Sequence, residues 1–193
     1  MTGKENHFDI RGMYIELYLP GESPAQCLVP VLSHGDRIVT VESGSGDLHG
    51  CDALITENRS VSLGIKTADC AAICFGDGKK IGIAHIGWRG LCAGLVEKML
   101  PNFNANELAI YVSPFLHSFE IQRDFCYDEV SKKFGSRFFT EGDKLVFNFK
   151  EALSSLLPSQ TIFDNRNTKS DRSFPSNRHD RTAERFITTV RFS

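Results

Sequence analysis

The residue types with the most chemical potential flank a predicted β-hairpin. Asp77-Gly78 stands between two apolar runs, and such a pair predicts a tight turn because both central positions need positive φ. Counting outward from a turn centred on this pair sets Cys70 opposite His85. Directly opposed residues share one face of a sheet, with Cβ atoms about 4.5–5.5 Å apart. At that range a thiol and an imidazole can share a metal ion or a proton. The alternative is a structural pair, in which a buried thiol lies beside a hydrogen-bonded imidazole ring.

The residues after His85 add a candidate anion site. Gly87-Trp88-Arg89-Gly90 joins a predicted strand to a predicted helix, and a helix start presents free backbone N–H groups and a positive end to a ligand. Arg89 supplies a bidentate donor suited to phosphate. The alternative is an ion pair on the surface for Arg89. His34 precedes a glycine and a predicted strand, so it is either a further donor at a strand mouth or a structural histidine.

Composition limits the class of protein. Of the 193 residues, 41% are hydrophobic and 24% charged, which is typical of a globular chain, and the net charge of −2 gives no basic field for nucleic acid or an anionic membrane. Residues 1–12 show no apolar run flanked by positive charge, and no stretch approaches the roughly 18 apolar residues of a transmembrane helix. We therefore expect a cytoplasmic protein. The six cysteines form no C-x-x-C pair, so buried free thiols are expected.

The pattern of elements predicts one α/β domain over residues 1–193, a layered fold with a mixed β-sheet and flanking helices. Helical spacing begins only after Gly90, and Asn148 with Glu151 resembles a capping box. The polar stretch 165–181 reads as a surface loop. The predicted strands cover residues 13–19, 38–41, 53–56, 62–65, 70–75, 80–86, 108–112, 144–147 and 187–192, and the predicted helices 91–100, 124–134 and 148–157.

Four segments together resemble the hallmarks of the laccase-domain family, formerly called multicopper polyphenol oxidase, which includes the bacterial peptidoglycan-editing factor. They are Leu-Ser-His-Gly-Asp-Arg (32–37), Asp-Ala-Leu-Ile-Thr (52–56), Thr-Ala-Asp-Cys (67–70) and Ala-His-Ile-Gly-Trp-Arg-Gly (84–90). The resemblance implies a zinc ion held by His34, Cys70 and His85, the same Cys–His pair that the hairpin selects. It also implies a fold like the catalytic domain of a bacterial deamidase toxin.

The activity that the resemblance implies is zinc-dependent phosphorolysis of purine nucleosides (adenosine, inosine and guanosine, with phosphate as co-substrate) and deamination of adenosine. Cys70, His85 and Arg89 are then the expected catalytic residues. Three protein ligands leave a fourth zinc position for water or substrate, as a catalytic site requires. The residues expected to contact nucleoside or phosphate are Arg37, Asp69, Arg89 and Arg178. As the strand neighbour of Cys70, Asp69 is expected to point to the opposite face of the sheet.

The chain also departs from the family pattern. Leu32-Ser33 replaces the usual Gln-Val before the histidine, and the Gly-Pro-x-Ile-Gly-Pro-Cys segment lacks its cysteine in residues 113–119. The Phe-x-Ser-Tyr-Arg-Arg-Asp motif survives only in part, as Phe-Pro-Ser-Asn-Arg-His-Asp (174–180). These changes touch substrate contacts more than the three ligands.

Three other functions compete with this expectation. In a cysteine hydrolase or amidase acting on peptidoglycan precursors, Cys70 is the nucleophile and His85 its base. A catalytically inactive relative keeps the metal site as a binding module. A multicopper oxidase needs about ten histidines, as expected from the type of site, and the chain has six, so this class is excluded.

Overall fold

The computed structural model describes residues 6–44 and 46–193. The expectation that no signal peptide is present rests partly on residues 1–5, which lie outside the described residues. Within the described part of the chain, no helix is long and apolar enough to cross a membrane.

Strands dominate the described residues, and the helices are short. The strands are β1 (His7–Ile10), β2 (Met13–Tyr18), β3 (Ile38–Thr40), β4 (Ala53–Thr56), β5 (Leu63–Thr67), β6 (Ala71–Gly76), β7 (Ile81–Ile86), β8 (Ala109–Val112), β9 (Phe119–Glu120), β10 (Phe139–Glu141), β11 (Leu145–Phe147), β12 (Ile162–Phe163) and β13 (Phe186–Phe192). The helices are α1 (Trp88–Cys92), α2 (Leu95–Met99), α3 (Phe125–Phe134), α4 (Phe149–Ser154) and α5 (Asn177–Asp180).

The central sheet has six strands in the order β12-β8-β6-β7-β4-β3. The outer pairs β12/β8 and β3/β4 are parallel, and the inner pairs are antiparallel. The predicted mixed sheet and α/β class are therefore confirmed. Strands β6 and β7 are buried along their whole length, as continuous apolar runs require when both faces of a sheet are covered.

Two different layers cover the two faces of this sheet. Ala72 and Cys74 pack with Met13 and Ile15 of the antiparallel sheet β1-β2-β13-β5. Ile73 and residues on the same face pack against the helices and the small sheet β10-β11-β9. Alternate residues of β6 thus enter separate cores, because side chains of a strand alternate between faces.

The register of the β6–β7 hairpin differs from the prediction. Asp77 N–H donates to the Lys80 carbonyl at 3.1 Å, and Ala72, not Cys70, lies opposite His85. The Asp77 carboxylate accepts the Lys79 and Lys80 N–H groups, which makes Asp77 a flanking residue and centres the turn on Gly78-Lys79. Gly78 supplies the positive φ, 82°. The pairing slips by two residues, so Cys70 and His85 keep the same face as diagonal neighbours.

The helices also start and stop differently from the prediction. The helix expected after Gly90 begins at Trp88 and is interrupted at Gly94, whose φ of 82° ends α1 and starts α2. Helix α4 begins after Asn148, but the Asn148 side chain donates to Thr140 Oγ1 instead of capping the helix. The stretch 165–181 is more than a surface loop, because it contains α5 and the buried Phe174.

Candidate active site

A cavity of about 280 Å³ opens where β5, β7 and the start of α1 meet the segment before β13. Its size is near the lower end of small-molecule sites, which span roughly 300–1,000 Å³. The lining side chains with polar or ionisable groups discussed below are His34, Lys66, Asp69, Cys70, His85, Arg89, Arg178 and Arg185. Residues far apart in the sequence therefore converge on one concave surface.

His85 is held on the buried strand β7 and is 3% exposed. Its Nδ1 lies 3.1 Å from Asp52 Oδ1. Burial alone would lower the pKa of this histidine, but the hydrogen bond to Asp52 and the contact with Cys70 outweigh burial and raise the pKa to about 9. A carboxylate can only accept, so Nδ1 carries a proton and Nε2 is the ring nitrogen left for another partner.

Cys70 lies directly before β6, half-buried and without a disulfide partner among the described residues. Its side chain lies beside the His85 ring and helps to raise the pKa of that histidine. The close approach depends on Gly87, because a Cβ at that position would lie 3.0 Å from Cys70 Sγ. The sulfur and the imidazole are thus neighbours on one face, as the hairpin predicted, although through a different register.

His34 reaches the same place from the loop before β3. Its backbone has φ of 60°, a left-handed conformation that costs an L-residue about 1–2 kcal/mol. The His34 ring stands edge-on to the His85 ring, with centroids 4.8 Å apart and an interplanar angle of 85°. Burial, followed by the neighbouring His85, lowers the pKa of His34.

The side chains that could hold a metal ion have a suitable chemistry but not a ready-made arrangement. Among residues 6–44 and 46–193, no group of three or more His, Cys, Asp and Glu side chains is arranged to hold a metal ion. The chemistry of the donors nevertheless fits zinc, since two imidazoles and a thiol line one cavity. Asp52 also pairs with Nδ1 of His85, which leaves Nε2 as the ring nitrogen that a metal ion would use. Carboxylates commonly pair in this way with zinc-binding histidines.

Asp52 is the main residue of this region that the sequence analysis did not assign. Its side chain is fully buried directly before β4, and its carboxylate accepts five hydrogen bonds. Burial would raise the pKa of Asp52, but the bonds from His85, Ser33 and Gly35 lower it far below the ordinary value. The only sequence signal was its position in the Asp-Ala-Leu-Ile-Thr segment, where an acidic residue precedes a buried strand.

Asp69 was expected to bind substrate, but as a strand neighbour of Cys70 to point to the opposite face. That orientation is wrong, because Asp69 precedes the strand with φ of 78° and lines the cavity. Its Oδ1 accepts from Thr168 Oγ1 at 2.8 Å, and its Oδ2 accepts from the Arg178 N–H at 2.8 Å. Both carboxylate oxygens therefore fasten the segment 168–178 beside Cys70.

The cations divide into those that reach the cavity and one that does not. Arg89 and Arg178, the predicted phosphate contacts, line it, and Lys66 and Arg185, which the sequence did not single out, line it too. Arg37 is absent from the lining, and its Nη1 donates to the His49 carbonyl at 2.6 Å. Among the described residues, none of the four lining cations forms an ion pair with a carboxylate.

Comparisons with known proteins agree with the laccase-domain resemblance. A model of the family described as multi-copper polyphenol oxidoreductase laccase matches residues 19–192. The chain is 31% identical over 176 residues to a protein named purine nucleoside phosphorylase from Aquifex aeolicus (strain VF5), covering 84% of this chain and 81% of that protein. It is 30% identical over 90 residues to a protein named adenosine deaminase RL5 from an unknown prokaryotic organism, covering 44% of this chain and 34% of that one.

The fold is shared with solved structures. The crystal structure of a Neisseria meningitidis protein matches with a TM-score of 0.80 and 18% identity, over 98% of this chain and 100% of that one. At this identity the likeness supports the fold alone. Since the family model spans nearly all of the described residues, the chain belongs to the family described as multi-copper polyphenol oxidoreductase laccase.

Proposed function

We propose that the chain is a cytoplasmic, zinc-dependent purine nucleoside phosphorylase that uses adenosine, inosine or guanosine with phosphate as co-substrate, and that also deaminates adenosine. The observation that carries the proposal is the single cavity that gathers His34, Cys70 and His85 with cations that no carboxylate neutralises among the described residues. The similarity to proteins named purine nucleoside phosphorylase and adenosine deaminase supports the same substrate class.

The residues that would hold zinc are His34, Cys70 and His85. A zinc ion there would supply Lewis acidity beside the substrate. The protein's own contribution is orientation, since Asp52 fixes the His85 ring from behind and Gly87 admits the sulfur of Cys70. A multicopper centre needs more imidazoles than the two that line this cavity, whereas a thiol and two imidazoles are enough to hold one zinc ion.

The residues that would hold phosphate are Arg89 and Arg178, with Arg185 and Lys66 at the same cavity. Fixed cations in a site that partly excludes water stabilise an anion more than they would in bulk water. A guanidinium group can also donate two parallel hydrogen bonds to two oxygens of one phosphate. The Arg178 guanidinium is 4.0 Å from the centre of the Phe119 ring, which restricts its side chain. Phosphate held there would attack the ribose C1′ as the purine leaves. Arg37 is excluded from this role because it points to His49.

The test is a purine-release assay on protein purified without chelators and supplied with zinc. With inosine and phosphate we expect hypoxanthine and ribose 1-phosphate in equal amounts, and no release without phosphate. Arg89→Gln should reduce release at least about tenfold, because removing a charged contact to substrate costs about 1.5–3 kcal/mol. Arg137→Gln is the matched control, since Arg137 stacks on Phe138 and is not part of the cavity lining. No turnover by zinc-replete wild type would favour the binding-module alternative.

A second function is favoured by one specific arrangement. Cys70, His85 and Asp52 form a row of thiol, imidazole and carboxylate, which is the order of nucleophile, base and orienting group in a cysteine hydrolase. The expected likeness to a deamidase toxin agrees with this alternative. Metal analysis separates the two functions. About one equivalent of zinc, lost in His34→Ala, supports the phosphorylase, and metal-free protein that releases ammonia from amide substrates supports the hydrolase.

A further inference from the structure

We infer that Asp52 is the positioning residue of the site, one carboxylate that orients both histidines of the cavity at once. The inference rests on the proposed function in so far as those histidines hold zinc. It concerns a residue that touches no substrate and acts only through His34 and His85.

The Asp52 carboxylate holds the backbone around His34. The N–H groups of Ser33, His34 and Gly35 all donate to the Asp52 carboxylate, at 3.2, 2.9 and 2.8 Å. Three successive N–H groups converging on one anion form a nest, and such a concavity binds negative charge. The left-handed φ of His34 is what turns these groups toward the same point. The anion in this nest is the Asp52 side chain. It therefore fixes the position of the His34 backbone, from which the imidazole ring extends.

The same carboxylate also holds the His85 ring. The same Oδ1 that accepts from the His34 N–H lies 3.1 Å from His85 Nδ1, and the His85 N–H donates to the Asp52 carbonyl at 2.7 Å. Asp52 thus holds both the strand position and the ring orientation of His85. With its Nδ1 proton directed at Asp52, the ring presents Nε2 to its remaining neighbours.

The hydrogen-bond partners of the Asp52 carboxylate distinguish it from an ordinary polar group buried in a protein core. The Asp52 side chain is 0% exposed, and all five of its donors come from Ser33, His34, Gly35 and His85. Every donor thus belongs to a candidate zinc-binding histidine or to a direct chain neighbour of one. A merely structural carboxylate would not need to select these four residues.

The experiment compares Asp52→Asn with Asp164→Asn. The Asp164 side chain is 7% exposed, but its partners are Tyr111 and Arg166, which lie outside the cavity. Two readouts are taken: the zinc dissociation constant, by competition with a chromogenic chelator, and the proton NMR signal of His85 Nδ1 in metal-free protein. We expect Asp52→Asn to weaken zinc binding about 10–100-fold and to remove the deshielded Nδ1 signal. Asp164→Asn should retain both.

The outcomes separate this inference from the proposed function. Zinc that binds wild type and Asp52→Asn equally, or an Nδ1 signal absent from wild type, overturns the inference and leaves the zinc proposal standing. Wild type that binds no zinc but loses the Nδ1 signal on Asp52→Asn overturns the zinc proposal and retains Asp52 as the positioning residue. If Asp52→Asn does not fold, Ser33→Ala decides, because among the bonds to the carboxylate it removes only the 2.6 Å bond to Oδ2, together with the 3.1 Å contact between the Ser33 hydroxyl and the Gly50 carbonyl. An affinity for zinc unchanged by Ser33→Ala, together with an unshifted Nδ1 signal, overturns the inference.

Discussion

The side chains of Asp52 and Asp164 are 0% and 7% exposed and both carboxylates have lowered pKa values, yet the regions around them differ in kind. Asp164 accepts two bonds from the Arg166 guanidinium and one from Tyr111 Oη, so its main partner is a guanidinium group. Asp52 has no guanidinium or ammonium partner among the described residues, and its donors are backbone groups, a hydroxyl and an imidazole. Burial and a low pKa therefore do not by themselves identify a site. What distinguishes Asp52 is that its partners lead into the cavity.

The largest expected effect comes from removing the imidazole partner of Asp52. His85→Asn should lower zinc affinity and purine release by more than the roughly 10–100-fold expected for a residue that only supports a ligand. The corresponding change beside Asp164 is Tyr111→Phe, which removes one 2.8 Å hydrogen bond. It should cost about 1 kcal/mol of unfolding free energy and leave purine release unchanged. Equal losses of activity in the two variants would erase the functional difference between the regions.

The next effect is on stability alone. Asp164→Asn leaves the Arg166 side chain, which is 16% exposed, without its carboxylate partner. We expect the free energy of unfolding to fall by about 2–3 kcal/mol, measured by urea denaturation. Zinc affinity and the rate of purine release by the folded variant should match wild type. A loss of zinc binding in this variant would show that the Asp164 region also supports the site.

Part of the folded structure was predictable from local pattern, and the reason lies in particular residues. The two apolar runs of β6 and β7 and the Asp77-Gly78 turn signal between them placed Cys70 and His85 on one face despite a wrong register. The slip was by two residues, and alternation of side chains has a period of two. A slip of one would have sent the two side chains to opposite cores.

Asp52 escaped prediction because its role depends on contacts across 17 to 33 residues of sequence. Nothing in the local pattern tells that the loop of Ser33 to Gly35 folds back over β4, or that His34 adopts φ of 60°. The same limit explains Arg37, whose guanidinium is drawn to the His49 carbonyl, and Arg185, which reaches the cavity from the approach to β13.

A smaller effect should follow from filling the space beside Cys70. Gly87→Ala places a methyl group 3.0 Å from the sulfur, so the thiol must shift by a few tenths of an ångström. We expect purine release to fall about tenfold, because displacements approaching 1 Å cost up to about 100-fold. Gly142→Ala is the control, since a Cβ there meets nothing within 4 Å. An unaffected Gly87→Ala enzyme would mean that the position of Cys70 is not critical.

The smallest expected effect is the contribution of Asp164 to the pH dependence of the protein's stability. Burial would raise the Asp164 pKa, but the Arg166 hydrogen bonds lower it below the ordinary value of 3.8. A carboxyl group whose folded pKa is depressed stabilises the protein above its unfolded pKa, and this contribution is lost as the pH falls through the folded value. Stability should therefore decline as the pH drops below about 4. The decline should be shallower in Asp164→Asn, as measured by thermal melting between neutral pH and pH 3.

We propose that His34, Cys70 and His85 converge on one zinc ion beside the four cations that line the cavity. Diffraction from crystals grown without chelators, collected on both sides of the zinc absorption edge, tests it most directly. The account predicts one strong anomalous peak within ligand distance of Nε2 of His85, the sulfur of Cys70 and the ring of His34. No peak, or a peak bound by other side chains, would contradict it.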